Sequence, residues 1–219
     1  MIHYQTKTKF TTIWISILTF LAGAINVTAI FLLDRTISHQ TGSLSRISIA
    51  LVEKNYSQFF DLFTYVFLFF VGAFFSGLTT FKRNRGARYL HSLYPFVFGV
   101  LLILGDFNAF SLVNLLRVMA FGMGLQNGTY IRFHKIIIRT THMSGYVTDA
   151  AVSLGRALHG DKEERFKAIF LIYSIFCFVM GGLFAAFMSI QLSDQLIKIL
   201  GMSYILVALI VFIFHPKRI

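Results

Sequence analysis

Charge is scarce in this chain. Asp, Glu, Lys and Arg make up 13% of its 219 residues, against roughly a quarter in a soluble domain, which excludes an ordinary water-soluble fold. Cysteine is scarcer still. Cys177 is the single one, so neither an internal disulfide nor a cysteine-based metal site can form; its place inside an apolar stretch marks a small core residue. Catalytic signatures are missing as well. The chain has no HExxH, nucleophile elbow, phosphate-binding loop or clustered carboxylate set, and no nucleophile with a partnered base. The expectation is a protein that is not an enzyme and takes no cofactor or metal.

What the chain does have is apolar length. Hydrophobic residues are 56%, and the 26 phenylalanines are spread along it. A transmembrane helix needs about 20 mostly apolar residues, and six stretches qualify: 12–33, 58–80, 89–105, 109–131, 166–188 and 196–214. Little remains for a soluble domain, so residues 1–219 form a single polytopic membrane domain with the lipid bilayer as its first partner. The opening stretch follows a polar, lightly basic start and lacks a small-residue cleavage site, which predicts a retained helix.

The net charge of +11 would suggest nucleic acid in a soluble protein, but its distribution assigns it to topology and no nucleic-acid partner is expected. Of the 20 Lys and Arg, 15 fall before the first stretch, between the second and third, between the fourth and fifth or at the very start of the fifth (Lys167), or after the sixth. The opposite side carries Arg35, Arg46, Lys54 and Lys198, and Arg117 lies within a stretch. Positive loops stay cytoplasmic, so both termini are predicted inside.

Two signatures occur twice. Gly23-Ala24-Ile25-Asn26-Val27-Thr28 is echoed by Gly124-Leu125-Gln126-Asn127-Gly128-Thr129, and His39-Gln40-Thr41-Gly42 by His142-Met143-Ser144-Gly145. Phe70-Val71-Gly72-Ala73 likewise answers Val179-Met180-Gly181-Gly182. The chain divides into repeat 1 (10–107) and repeat 2 (108–215). Three crossings per repeat make the second enter from the opposite side, an inverted-topology repeat. The fold expected is all-α integral membrane, with six transmembrane helices as two inverted three-helix repeats. Small residues four apart, such as Gly72/Ser76, Ala73/Gly77 and Gly181/Ala185, predict close helix packing, within the chain or in a homo-oligomer.

After the first span of each repeat comes a short amphipathic segment. Residues 42–54 would make a helix of roughly 20 Å, short of a hydrocarbon core of about 30 Å, and 145–158 has the same character. Both read as re-entrant or interfacial half-helices, with Thr41 or Ser43 capping the first and Ser144 the second. An eight-span alternative would put the basic 81–88 loop outside, against its charge.

Half-helix N-termini favour anions, so Thr41-Gly42 and Ser144-Gly145 are candidate substrate-contacting turns, with interfacial capping as the bland alternative. Asn26 and Asn127 are candidate ligand contacts or interhelical hydrogen bonders. Arg117 either snorkels or faces the cavity, where it would favour an anionic substrate. Arg46 and Asp149 occupy matching positions and form a candidate gating pair, against the alternative of two solvated charges.

Ala22-Gly23-Ala24-Ile25-Asn26, His39-Gln40-Thr41-Gly42, Gly124-Leu125-Gln126-Asn127 and Arg139-Thr140-Thr141-His142-Met143-Ser144-Gly145 resemble the YoaK-like family, small bacterial integral-membrane proteins carrying a domain of unknown function. Asn26 stands where that family commonly has aspartate, and Ser144 where it has threonine. The resemblance implies a multi-pass protein of the bacterial cytoplasmic membrane. The expected function is transport of an unidentified small molecule by alternating access; a non-transporting scaffold or sensor is the alternative.

Overall fold

The computed structural model describes residues 2–80, 87–105, 107, 110–129, 131–133 and 136–214. Lys82, Arg83 and Arg85, whose charge enters the topology reading, lie outside the described residues, as do Asp106, Lys135, Lys217 and Arg218. Among the described residues there are eight helices: α1 (Ile2–Leu33), α2 (Gln40–Val52), α3 (Tyr56–Thr80), α4 (Ala87–Leu104), α5 (Leu112–Gly128), α6 (Met143–Ala157), α7 (Lys162–Gln191) and α8 (Ser193–Phe214). Four stretches, Lys9–Leu33, Tyr56–Thr79, Lys162–Gln191 and Gln195–Phe214, are long and apolar enough to cross a membrane, and a shorter apolar helix runs Tyr89–Leu104. The protein is an all-helical, multi-pass membrane protein with a small β-hairpin.

Local chemistry sets the element ends. Asp161 caps α7 by accepting from the backbone N–H groups of Glu163 and Glu164 at 2.9 and 3.1 Å; those two carboxylates also sit where the helix dipole favours negative charge. Ser111 caps α5 through the Asn114 N–H. Just beyond α1 and α2, Asp34 and Lys54 turn the chain away with positive φ of 52° and 55°, the left-handed conformation that closes helices. The antiparallel hairpin β1 (Ile131–Phe133) and β2 (Ile136–Ile138) was not foreseen. It lies where the second copy is two residues longer, and three-residue strands are too short to give a readable alternation.

The helices pack in exchange-related pairs. The dominant contacts are α1 with α7, α3 with α5, and α4 with α8; α2 lies on α3 and α6 on α7. Exchanging α1–α4 for α5–α8 maps the first pairing onto the second and returns α4–α8 to itself. Glycine makes these approaches. A Cβ on Gly23 would fall on the Phe178 carbonyl and one on Gly181 on the Phe20 carbonyl. In the other pair, a Cβ on Gly124 would fall on the Phe69 carbonyl and one on Gly72 on that of Phe121. Gly99 and Gly201 face each other's carbonyls across α4 and α8. These small-residue faces are thus occupied within the chain. Gly77, by contrast, has no neighbour within 4 Å of a Cβ built on it.

Helix backbones in contact leave no room for a methyl, so overpacking sets the cost. Gly23→Ala and Gly181→Ala should each lower stability by about 1–3 kcal/mol, read as loss of thermal stability in detergent. Gly77→Ala should leave the melting temperature unchanged or raise it, since alanine favours the helix. Equal tolerance at all three positions would refute the packing argument.

Candidate functional site

Helices α2 and α6 each begin at a histidine. The N-caps of α2 and α6 are His39 and His142, not Thr41, Ser43 or Ser144. Their imidazoles fold back over the first turn: a Cβ on Gly42 would meet the His39 ring, and one on Gly145 the His142 ring. The repeated His-x-x-Gly is therefore a packing unit. Glycine stands three residues on because the ring occupies the space of its side chain. Neither helix receives a side-chain cap hydrogen bond, so the first-turn N–H groups keep their donor capacity.

Beside the start of α2 lies a cavity of about 300 Å³, lined by Arg35, Thr36, His39, Gly42, Ser43, Arg46, Leu62 and Tyr65. Arg35 comes from the turn after α1, Arg46 from the first turns of α2, and Tyr65 from α3. Tyr65 is only 7% exposed, lies within electrostatic reach of Asp61, Arg117 and Arg35, and makes no hydrogen bond with any described residue.

The matching place beside α6 is filled. Ser43, small and buried, corresponds to Tyr146, which belongs to the hydrophobic core. The Tyr146 hydroxyl accepts from the backbone N–H of Arg139 at 2.8 Å, and Arg139 is the counterpart of the cavity-lining Thr36. Burial pushes the phenol up to about 12, despite the opposing pull of that N–H, so it remains neutral near pH 7. On the following helix the sizes are reversed, with Tyr65 on α3 and a buried Ser174 on α7. The two halves thus carry one tyrosine and one serine each, in swapped places.

Between the halves sits a buried amide. Gln126 donates to the Leu18 carbonyl and to Thr140 Oγ1, and accepts from the Tyr204 hydroxyl, each at 2.8 Å. One side chain thereby joins α1, α5, α8 and the segment leading into α6. The first-half counterparts of Gln126, Thr140 and Tyr204 are Ile25, Ile37 and Leu102, all essentially inaccessible. The adjoining cavity, about 20 Å³ between Trp14, His91, Gln126 and Tyr204, has room for about one water. The centre is closed.

Of the residues singled out from sequence, Gly42 and Arg46 line the α2 cavity. Thr41 and Ser144 are exposed, and Gly145 lies under His142. Asn26 Oδ1 accepts from the Ser38 hydroxyl at 2.9 Å and its N–H at 3.3 Å, tying α1 to the segment before α2. The corresponding Asn127 Oδ1 and Thr141 Oγ1 are buried without a hydrogen-bond partner among the described residues. Arg117 donates to Asn114 Oδ1 at 3.0 Å. Arg46 and Asp149 are both exposed, and among the described residues no ion pair joins them. Sequence reasoning missed Arg35, Tyr65 and Tyr146. The tyrosine–serine swap was readable by carrying the repeat register beyond the glycine motifs. Among the described residues no group of three or more His, Cys, Asp or Glu gathers to hold a metal ion.

An all-helical frame of exchange-related halves, closed at the centre and open beside α2, defines a polytopic membrane protein. Residues 14–213 match the family described as "Protein of unknown function (DUF1275)", and the chain belongs to that family. No curated protein and no solved structure matches it.

The amide cluster makes a sharp prediction. Gln126→Leu strands the Thr140 and Tyr204 hydroxyls, and each buried unsatisfied group costs about 1–3 kcal/mol, so the variant should melt well below wild type. Rebuilding the first half's apolar version with Gln126→Ile, Thr140→Ile and Tyr204→Leu should recover much of the loss. A triple variant less stable than Gln126→Leu would show that the cluster is not replaceable by packing.

Proposed function

We propose that the protein is a small-molecule transporter of the bacterial cytoplasmic membrane, working by alternating access between two inverted three-helix repeats. In this reading α1, α3, α4, α5, α7 and α8 cross the bilayer, α2 and α6 are half-helices on opposite faces, and both termini are cytoplasmic. No chemical transformation is assigned to it. One observation carries the proposal: pseudo-equivalent places beside α2 and α6 differ in occupancy, one holding a polar cavity and the other the Tyr146 ring. Alternating access needs two related conformations in which one side opens while the other is packed. The Gln126 cluster and its small adjoining cavity supply the closed centre of such a state.

The inversion is tested by labelling. On a Cys177→Ala background in right-side-out vesicles, Thr41→Cys should react with a membrane-impermeant maleimide. Ser144→Cys should react only after the membrane is opened. Labelling of both from one face would refute the inverted arrangement. Tyr146→Ala, combined with Ser174→Cys, should raise labelling of the buried position severalfold from the cytoplasmic face; no increase would show that Tyr146 does not close that side.

A further inference from the structure

The α2 cavity is built for negative charge. Its lining includes two arginines and a histidine but no carboxylate, and among the described residues neither Arg35 nor Arg46 has an ion-pair partner. Tyr65, a residue only 7% exposed, lines the cavity, and its hydroxyl makes no hydrogen bond with a described residue. The start of α2 contributes first-turn N–H groups without a side-chain cap, at the positive end of its dipole. Asp61 lies near Tyr65, and Arg117 approaches the same ring, so the surroundings add one charge of each sign to the two arginines.

We propose that this cavity is a binding site for a small oxyanion solute, one carrying a carboxylate or phosphate group. Arg35 and Arg46 hold the oxygens and Tyr65 donates to one of them. The arginine fork matches both group shapes in bidentate geometry. At about 300 Å³ the space lies at the small end of ligand pockets: it admits inorganic phosphate or a short dicarboxylate and excludes a large headgroup with its chains. The matching place beside α6 could not serve in the same conformation. Tyr146 fills it, and Asp149 stands where the first half has Arg46. The site is therefore one-sided in this conformation, and its use in transport rests on the function proposed above.

Binding is measured on the full-length protein in nanodiscs of zwitterionic lipid, by thermal shift and isothermal titration. The probes are inorganic phosphate, succinate and, as a neutral control, glycerol. Phosphate or succinate should stabilise wild type while glycerol does not. Arg35→Ala and Arg46→Ala should each weaken that binding about tenfold or more, the scale of one lost charge-assisted hydrogen bond. Arg35→Lys, which keeps the charge and loses the fork, should lie between wild type and Arg35→Ala. Tyr65→Phe should weaken binding severalfold without lowering the unliganded melting temperature. Arg156→Ala, altering an arginine paired with Glu164 at 3.3 Å away from the cavity, should bind as wild type does.

Absence of binding by either oxyanion, or binding indifferent to Arg35 and Arg46, overturns the proposal. So does stabilisation seen only when the nanodisc contains phosphatidylglycerol, since the site would then hold a lipid headgroup. Uptake into proteoliposomes separates the two readings. Oxyanion binding without uptake of the bound anion keeps the site and rejects transport of its ligand; uptake of a neutral solute without oxyanion binding does the reverse.

Discussion

Contact between helix backbones holds this fold together. In lipid no hydrophobic force drives one apolar helix against another, so association depends on how closely the surfaces fit. Here the fit is set by glycine. Gly23 and Gly181 bring α1 against α7, Gly72 and Gly124 bring α3 against α5, and Gly99 faces Gly201 between α4 and α8. Each pairing joins a helix of one half to a helix of the other, so the halves are not separable units laid side by side. They interlock, and the large aromatic side chains are left free for the periphery. Phe60, Phe63, Phe67, Phe70 and Phe74 on α3 are exposed, as suits a surface solvated by lipid.

Onto this common frame the two halves place different side chains. Where one has isoleucine and leucine at the centre, the other has Gln126, Thr140 and Tyr204 in mutual hydrogen bonds. Where one has Ser43 facing Tyr65, the other has Tyr146 and Ser174. A buried amide with both N–H donors and its oxygen engaged specifies one arrangement of its neighbours, because any displacement strands a polar group. Buried isoleucines tolerate sliding far better. The frame is close to symmetric and its polar content is not.

The sequence made the frame legible and left the polar content largely hidden. The duplicated Gly-x-x-Asn and His-x-x-Gly blocks located the pseudo-equivalent segments, and Gly72 of α3 and Gly181 of α7 marked faces of close packing, against α5 and α1. Family membership agreed with the motifs that suggested it. Capping was misread because Thr41, Ser43 and Ser144 are good caps by residue type, whereas the histidines do the work through ring packing on glycine, which propensity does not encode. The hairpin was too short for a periodic signal. Arg35 and Tyr65 were passed over for another reason: a single arginine in a loop and a single tyrosine in an aromatic-rich helix carry no local pattern. They become informative only when the chain folds and brings α1's end, α2 and α3 to one cavity.

The division between frame and side chains bears on how such a molecule can change shape. Two pseudo-equivalent conformations differ in free energy only through interactions that the halves do not share. Backbone contacts at glycine involve no side chain on one partner, so exchanging the roles of the halves leaves their character unchanged. In the alternating-access reading proposed above, the preference for one conformation resides in Gln126 with its three partners, in Tyr146 against the Arg139 N–H, and in the tie between Asn26 and Ser38 that the buried counterparts Asn127 and Thr141 do not make. A cluster of hydrogen bonds in a dry interior can bias an equilibrium by several kcal/mol, and a two-state equilibrium moves from one extreme to the other within about 5.5 kcal/mol. On that proposal the asymmetric residues are sufficient in number and kind to bias which side would be open. They do so without altering the glycine contacts on which the fold depends.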